Sequence, residues 1–231
     1  MPNHVKNIVK MKGIVNLPLF TMDNGVKCFD FNKIIPMSES LNIESGSITE
    51  QAIIYFVTEK CTIPLQSIKD EYKEIVKNHV TNSFSKSKSW ADMVFMRALE
   101  YAYNLTSDKK EQFYKAGETY VSNIISYGYS TWYDWCINNW DTKWNAYSNK
   151  QKGTDIIIFE TAWSNPEAIM LKLSEMYPDI KIEHWWADEN TGSNDGHRIY
   201  LGGKIIEGGY CGDCTDEAYE ICDKCWNEDV E

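Results

Sequence analysis

The alternation of apolar and polar residues is clearest between residues 154 and 206, where it predicts a strand, a helix, a strand, a tight turn and a last strand. Asp155 to Glu160 is a short isoleucine-rich run, which is typical of a buried strand. Apolar residues then recur at helical spacing from Ile169 to Met176, and Ser164 or Asn165 is expected to cap this helix. Strand, crossover helix, strand and hairpin together predict a split β-α-β core. This is the ferredoxin-like arrangement of an α+β protein, with an antiparallel or mixed sheet.

The chain before this core begins with a strand pattern and continues with helical ones. Val5 to Lys12 alternates and predicts a first strand. From Ser47 the hydrophobic period becomes about 3.6 residues, with Ser47 and Glu50 as a capping box, and five helices are expected as far as Trp140. The expected domains are a ferredoxin-like α/β domain of residues 1–45 and 145–231 and a large all-helical insertion of residues 46–144.

The formal net charge of −11 is spread unevenly along the chain. Residues 155–231 contain 18 acidic and 5 basic side chains, whereas residues 1–154 contain 16 acidic and 18 basic ones. An acidic surface repels phosphate groups, so we expect no direct binding to a nucleic-acid backbone and favour a basic partner protein. Solubility alone is the plainer explanation of the same charge.

The sequence shows neither a membrane span nor an export signal. No apolar run approaches the roughly 20 residues needed to cross a bilayer, and Lys6, Lys10 and Lys12 interrupt any signal-peptide pattern. We therefore expect an intracellular protein with no membrane partner. Thiols stay mostly reduced in the cytoplasm, so clustered cysteines there indicate a metal before a disulfide.

Two CxxC pairs stand close together near the end of the chain. Cys211, Cys214, Cys222 and Cys225 are spaced x2, x7 and x2, and four thiolates are the ligand set of a structural, tetrahedral zinc site. The middle gap is shorter than the roughly 15 to 20 residues of common zinc ribbons. Four free thiols, with Cys222 in the core, are the alternative.

One histidine and a set of tryptophans are further candidates. His184 is flanked by carboxylates, so with Asp188 or Glu189 it could act as a general base, although a histidine beside aromatic core residues fits the same pattern. An exposed aromatic cleft could stack a nucleobase or anchor a partner, but tryptophans at helical spacing are also typical of a core. The tryptophans concerned are Trp132, Trp135, Trp140, Trp144, Trp163, Trp185 and Trp186.

Several longer segments resemble a known family. The segments are MPNHVKNIVKMKG, FDFNKIIPM, YSTWYDWCINNWDTKWNAYS, FETAWSNP and IEHWWADENTG. They are similar to the YubB-type ferredoxin-like family of small bacterial, phage and plasmid proteins. The resemblance implies a ferredoxin-like domain with a helical insertion, a mobile-element context and the cytoplasm of a bacterial host. It implies no reaction and no catalytic residues, and the paired CxxC motifs are not part of its pattern.

These observations favour a non-enzymatic interaction protein of a phage or other mobile element. Its acidic surface would bind a basic host protein, for example a nucleic-acid-handling nuclease that it inhibits as a counter-defence. The binding candidates are Trp185, Trp186, Asp188, Glu189, Asp195, Asp213, Asp216, Glu217 and Glu220. A small-ligand or nucleotide binder with an aromatic cleft between the insertion and the sheet is the alternative, followed by a hydrolase that uses His184. No cofactor other than structural zinc is expected.

Overall fold

The computed structural model describes residues 3–80 and 88–228, apart from the side chains of residues 47, 88 and 89. The chain divides into two compact units. The first comprises Met1–Met37 and Cys136–Glu231, and the second is Ser38–Trp135. The sequence placed these divisions at 45/46 and 144/145, within nine residues of the observed ones.

The first unit contains the strands, of which the described residues form eight. They are β1 (His4–Met11), β2 (Phe20–Asp23), β3 (Val26–Phe29), β4 (Tyr147–Lys152), β5 (Ile156–Ala162), β6 (Ile182–Asp188), β7 (Gly196–Leu201) and β8 (Lys204–Tyr210). Six of them form one sheet in the order β4-β5-β1-β6-β7-β8, in which all neighbours are antiparallel. β2 and β3 form a separate hairpin.

A split β-α-β unit lies at the centre of this sheet. Glu167–Met176 forms the helix that connects β5 to β6, and β1 lies between these two strands and pairs with both. Ile8, in the middle of β1, is opposite Ile158 of β5 and Trp185 of β6. The predicted ferredoxin-like α+β fold with a large helical region is therefore confirmed.

Both faces of the sheet are apolar at its centre, in β5, β1 and β6. One face packs against the last described helix, Asp216–Trp226, through a cluster that includes Ile8, Ile158 and Cys225. Because side chains alternate along a strand, Phe159 and Trp186 point to the opposite face, where Phe159 packs against the rings of the β2–β3 region. Burial on two faces explains why β5 is almost continuously hydrophobic.

The two edges of the sheet are irregular. The pairing of β4 shifts between Tyr147 and Lys150, and the pairing of β7 with β8 shifts between Ile199 and Tyr200. Gly208 of β8 has φ 85°, and a Cβ there would lie 2.2 Å from the His197 carbonyl oxygen, so a side chain would not fit. Bulges and edge lysines hinder edge-to-edge pairing between proteins.

The structure differs from the sequence-based prediction in two places in this sheet. The run from His197 to Ile206 is not one strand but the hairpin β7–β8, which turns at Gly202 and Gly203. β4 was not predicted because its residues are mostly polar and show no apolar alternation. An exposed edge strand tolerates such residues.

The start of the helix between β5 and β6 also differs from the prediction. We call this helix α6 (Glu167–Met176). Neither Ser164 nor Asn165 caps it; the Asn165 side chain instead donates to the Tyr210 hydroxyl at 2.8 Å. Asp141, distant in sequence, accepts a hydrogen bond from the Ala168 N–H at 2.7 Å. One orphan amide of the first turn is therefore satisfied by a tertiary contact.

The second unit is helical. Its described helices are α1 (Ser47–Val57), α2 (Asp70–Ile75), α3 (Lys88–Tyr103) and α4 (Ser107–Tyr127), and α5 (Trp132–Trp140) crosses the division. Between Leu65 and Val80 the chain forms a short 3-10 turn, α2 and a π-helical turn, Val76–Val80, and not one continuous helix. Gly46 rather than Ser47 is the N-cap of α1, and its N–H donates to the Thr49 hydroxyl.

None of the helices in the described ranges combines the length and apolar character that a bilayer crossing requires.

Candidate functional site

The helix Asp216–Trp226, α7, presents an outward surface that we call the acidic face. Its residues are Asp213, Asp216, Glu217, Glu220 and Asp223. All five are exposed, and Tyr219, with 42% of its surface exposed, lies among them. The surface therefore combines clustered carboxylates with one aromatic side chain that could serve as an anchor.

The local sequence explains why α7 holds these charges outward. Thr215 caps the helix by accepting a hydrogen bond from the Ala218 N–H at 3.2 Å. Asp216 and Glu217 occupy the first turn, where the helix dipole favours negative charge. The opposite stripe is buried against the sheet and consists of Ala218, Ile221, Cys222 and Cys225. Tyr219 lies outside this stripe.

Those basic residues of the first unit that form ion pairs form them with carboxylates outside the acidic face. Lys6 and Lys150 lie 2.7 Å from Glu160 and 2.5 Å from Glu228 respectively. Lys224, the basic residue within α7, lies over the Trp185 ring at 4.3 Å. Among the described residues, no ion pair involves a member of the acidic face. Its negative charge is thus directed to solvent.

Three of the predicted binding residues do not belong to any surface. Trp186, Asp188 and Asp195 are buried, so they cannot contact a docked partner. Trp186 points to the inner face because it alternates with Trp185 along β6, and the two aspartates hold the following turn from within. Trp185 is half-buried. Glu189 is exposed, as the residues of the acidic face are.

The two buried aspartates organise the turn between β6 and β7. Asp188 accepts hydrogen bonds from the Asn3 side chain at 3.1 Å, the Asn190 N–H at 2.8 Å and the Asn194 side chain at 3.2 Å. Asp195 accepts from the Asp188 N–H at 3.1 Å. Burial, helped by the charge of Asp188, raises the pKa of Asp195 to about 6. These carboxylates therefore have a structural role.

The four cysteines of the predicted zinc site differ in burial. Cys222 and Cys225 are buried, Cys211 is half-buried and packs near them, and Cys214 is exposed. Burial raises the pKa of the Cys211, Cys222 and Cys225 thiols, which favours their protonated form. Within residues 3–80 and 88–228, no three histidine, cysteine or acidic side chains are grouped as metal ligands. Zinc binding stays a prediction, and it would require the four cysteine side chains to move closer together than they are in this structure.

His184 is enclosed in the sheet. Its Nε2 donates to Asn7 Oδ1 at 3.0 Å, and the Asn7 amide in turn donates to the Val5 carbonyl and the Thr161 hydroxyl, each at 2.9 Å. Burial is the main cause that lowers the pKa of His184 to about 3. A substrate could reach this imidazole only if the sheet opened, and Glu183 points to the opposite face. Nothing in this geometry favours the predicted general base.

The tryptophans separate into buried and exposed ones. Trp135, Trp140 and Trp186 are buried, and Trp132 and Trp185 are half-buried. Trp144 and Trp163 expose 37% and 43% of their surfaces. The tryptophans at helical spacing in α5 are therefore core residues or half-buried, as one of the two interpretations expected. The two exposed indoles, Trp144 and Trp163, lie in the loops before β4 and after β5.

The first unit also contains an open groove of about 770 Å³. It lies between the β2–β3 hairpin and β4 and is lined by Phe29, Asn145, Tyr147 and Asn149 among others. No tryptophan lines it. A small-ligand site in this groove would therefore differ from the tryptophan cleft that the sequence suggested.

Two groups of interacting residues could not be predicted from the sequence, because each joins residues that are far apart in the chain. Arg198 of β7 forms an ion pair with Glu167 and lies over the rings of Trp186 and Tyr210 at 5.3 and 5.1 Å. Lys143 lies over Trp144 and Trp163 at 4.8 and 4.7 Å. These are tertiary contacts, which periodicity cannot reveal.

Comparison with known proteins gives a partial match. Residues 143–227 match the family model for the ferredoxin-like domain in Api92-like protein. This supports a ferredoxin-like family in the C-terminal region; it does not specify the YubB type. The crystal structure of a protein api92 from Yersinia pseudotuberculosis is similar over 93% of this chain and 100% of that chain, with 12% identity and a TM-score of 0.38. That score is too low to support an argument. No curated protein matches the chain.

Proposed function

We propose that this chain is a non-enzymatic binding protein whose acidic face docks on a basic surface of another protein. The observation that supports this most is the exposure of five carboxylates on and just before α7, without an ion pair to any described residue. Charges of one sign on one surface raise the association rate with an oppositely charged partner and select against acidic ones.

The partner that fits this surface is a protein that itself handles nucleic acid, since such proteins present clustered lysines and arginines. The acidic face would occupy the surface on which that partner binds phosphate. The uneven charge, together with the mobile-element context that the sequence resemblance implies, favours a host nuclease that is inhibited in this way. Direct binding of this chain to a nucleic-acid backbone is disfavoured by the same charges.

A co-purification experiment tests the proposal. Tagged protein is incubated with bacterial host extract at low salt, and captured proteins are quantified as the salt concentration is raised. We expect a stoichiometric basic partner that dissociates as salt increases, because the Debye length falls from about 30 Å at 0.01 M to about 10 Å at 0.1 M. Absence of a stoichiometric partner at low salt would contradict the proposal.

Matched variants identify the surface. The test variant replaces Asp216, Glu217, Glu220 and Asp223 with Asn or Gln. The control neutralises four exposed acids of the second unit, Glu71, Asp92, Glu100 and Glu118. Both variants change the net charge equally. If the acidic face is the docking surface, the test variant should lose the partner and the control variant should retain it.

A second candidate function is binding of a small ligand in the groove beside β4. Its volume of about 770 Å³ lies within the usual range of ligand sites, roughly 300 to 1,000 Å³. A thermal-shift screen with nucleotides tests it, because a ligand at 100 times its Kd stabilises the folded state by about 2.7 kcal/mol. An unchanged melting temperature with all nucleotides would argue against nucleotide binding.

A further inference from the structure

Two exposed indoles of the first unit flank a single ammonium group. Lys143 Nζ lies 4.8 Å from the Trp144 ring centroid and 4.7 Å from that of Trp163. Tryptophan is the aromatic residue that attracts cations best through its ring face. The pair therefore already acts as a cation-binding arrangement, occupied by a lysine of the same chain.

The position of Trp163 is fixed by its backbone. Its φ of 72° is in the left-handed region, which is uncommon for a bulky side chain. The conformation is held on both sides: the Trp163 N–H donates to the Asn3 carbonyl at 3.0 Å, and the Asn194 side chain donates to the Trp163 carbonyl at 3.1 Å. The backbone of Trp163 is therefore held in place before any partner binds, and its side chain is exposed.

Trp144 is supported from its own side. Its ring packs edge-on against Tyr147, with centroids 6.2 Å apart. The Tyr147 hydroxyl donates to the Thr161 carbonyl at 2.9 Å and lies 2.7 Å from His4 Nδ1, so the tyrosine is anchored to β5 and β1. Trp144 therefore packs against a tyrosine ring that is itself held in place by hydrogen bonds.

The surrounding charge is negative. Glu160 is opposite Tyr147, the neighbour of Trp144, in the pairing of β4 with β5. Burial, followed by the charges of Glu160 and Glu189, raises the pKa of Tyr147 to about 12. Glu160 is paired with Lys6, whereas Glu189 is exposed. Asp141, two residues before Lys143, is exposed as well, with its carboxylate accepting the hydrogen bond from the Ala168 N–H. This environment favours a cation over a nucleotide phosphate.

We infer that Trp144 and Trp163 form a clamp for an arginine side chain of the basic partner, which displaces Lys143 from between the two indoles. Arginine fits this role better than lysine because its planar guanidinium stacks on aromatic faces and is more weakly hydrated. The inference rests on the proposed function and specifies a contact for it. The clamp supplies an anchor, while the acidic face supplies long-range attraction.

The test uses the full-length protein with a hexa-arginine peptide at constant ionic strength, followed by two-dimensional NMR. The indole N–H signals of Trp144 and Trp163, assigned from single substitutions, report on the clamp, and the backbone N–H signals of α7 report on the acidic face. We expect hexa-arginine to shift both sets of signals, and hexa-citrulline, its neutral analogue, to shift neither.

Substitutions then separate the clamp from general electrostatics. Lys143→Ala should lower the Kd measured at the indoles, since it removes the internal competitor. Trp144→Ala and Trp163→Ala should each weaken binding about 2- to 5-fold, the range expected for one exposed cation–π contact. Lys224→Ala is the matched control: it removes one charge and one lysine–indole contact, but Trp185 is stacked on His197 at 4.8 Å and offers no second face. It should leave the Kd at the Trp144 and Trp163 indoles unchanged.

Three outcomes overturn the clamp. If hexa-arginine shifts α7 but not the two indoles, the clamp is wrong and the proposed function stands. If Lys143→Ala and Lys224→Ala have equal effects at the indoles, the response is general electrostatics. If AMP shifts the same indoles and Lys143→Ala abolishes that shift, the pair is a nucleobase site with Lys143 as its phosphate ligand. Failure of the α7 signals to respond would count against the proposed function separately.

Discussion

Replacing Asp195 with Asn is predicted to stabilise the protein near neutral pH, although the aspartate is 99% buried and hydrogen-bonded. Its pKa is raised from 3.8 to about 6, mainly by burial. Between these values the folded state holds a proton that the unfolded chain has released. Stability therefore decreases as pH rises from about 4 to about 6, by roughly 1.4 kcal/mol per pH unit for one proton.

The full effect of this carboxylate is about 3 kcal/mol above pH 6, where the folded protein carries an unfavourable buried charge. Asn removes the charge and keeps an acceptor for the Asp188 N–H, and its NH₂ group can face the Asp188 carboxylate. We expect Asp195→Asn to gain up to that amount at pH 7 and almost nothing at pH 4.

Urea unfolding measured between pH 4 and pH 8 checks this prediction. Asp213→Asn, which removes an equal charge from an exposed position, is the control and should change stability by less than about 0.5 kcal/mol. The reasoning is refuted if Asp195→Asn destabilises the protein at pH 7 and leaves the slope of stability against pH unchanged.

Three further changes test other parts of the structure. Gly117→Ala should destabilise the second unit by about 1 to 3 kcal/mol in urea unfolding, because its Cβ would lie 2.1 Å from the Ala52 carbonyl oxygen; an unchanged midpoint would contradict the close packing of α1 on α4. Thr215→Ala should cost about 1 kcal/mol by removing the α7 cap, whereas Thr215→Ser should cost much less. If the cysteines bind zinc, a metal assay should find one zinc per chain and EDTA should lower the melting temperature; protein without zinc and without an EDTA effect would exclude the site.

The elements of the split β-α-β core could be predicted because their signals are local. The isoleucine run of β5, the helical spacing of α6 and the alternation of β6 each lie within one short segment, and burial on both faces of the sheet preserves them. β4 lacks such a signal, since an exposed edge strand requires only backbone pairing. The cap of α6 comes from Asp141, which no pattern around Pro166 could indicate.

Only part of the candidate site, the acidic face, could be predicted from the sequence, because its residues are exposed simply as charged side chains of an amphipathic helix. The carboxylates of α7 lie outward because its other stripe is apolar. In the sequence, Asp188 and Asp195 cannot be distinguished from these exposed carboxylates. They are nevertheless buried, because the turn between β6 and β7 needs buried acceptors for its amides. The Trp144–Lys143–Trp163 contact joins residues that only the pairing of β4 with β5 brings together.

The most direct measurement of the central proposal places a photo-crosslinking amino acid at Tyr219, amid the acidic face. A second protein carries it at Tyr103, which is 83% exposed in the second unit, as a control. After irradiation in bacterial host extract at low salt, we predict one dominant crosslinked protein of basic composition from position 219, absent from position 103 and lost at 0.5 M salt. Equal crosslinking from both positions, or an acidic or salt-insensitive product from position 219, would contradict docking through the acidic face.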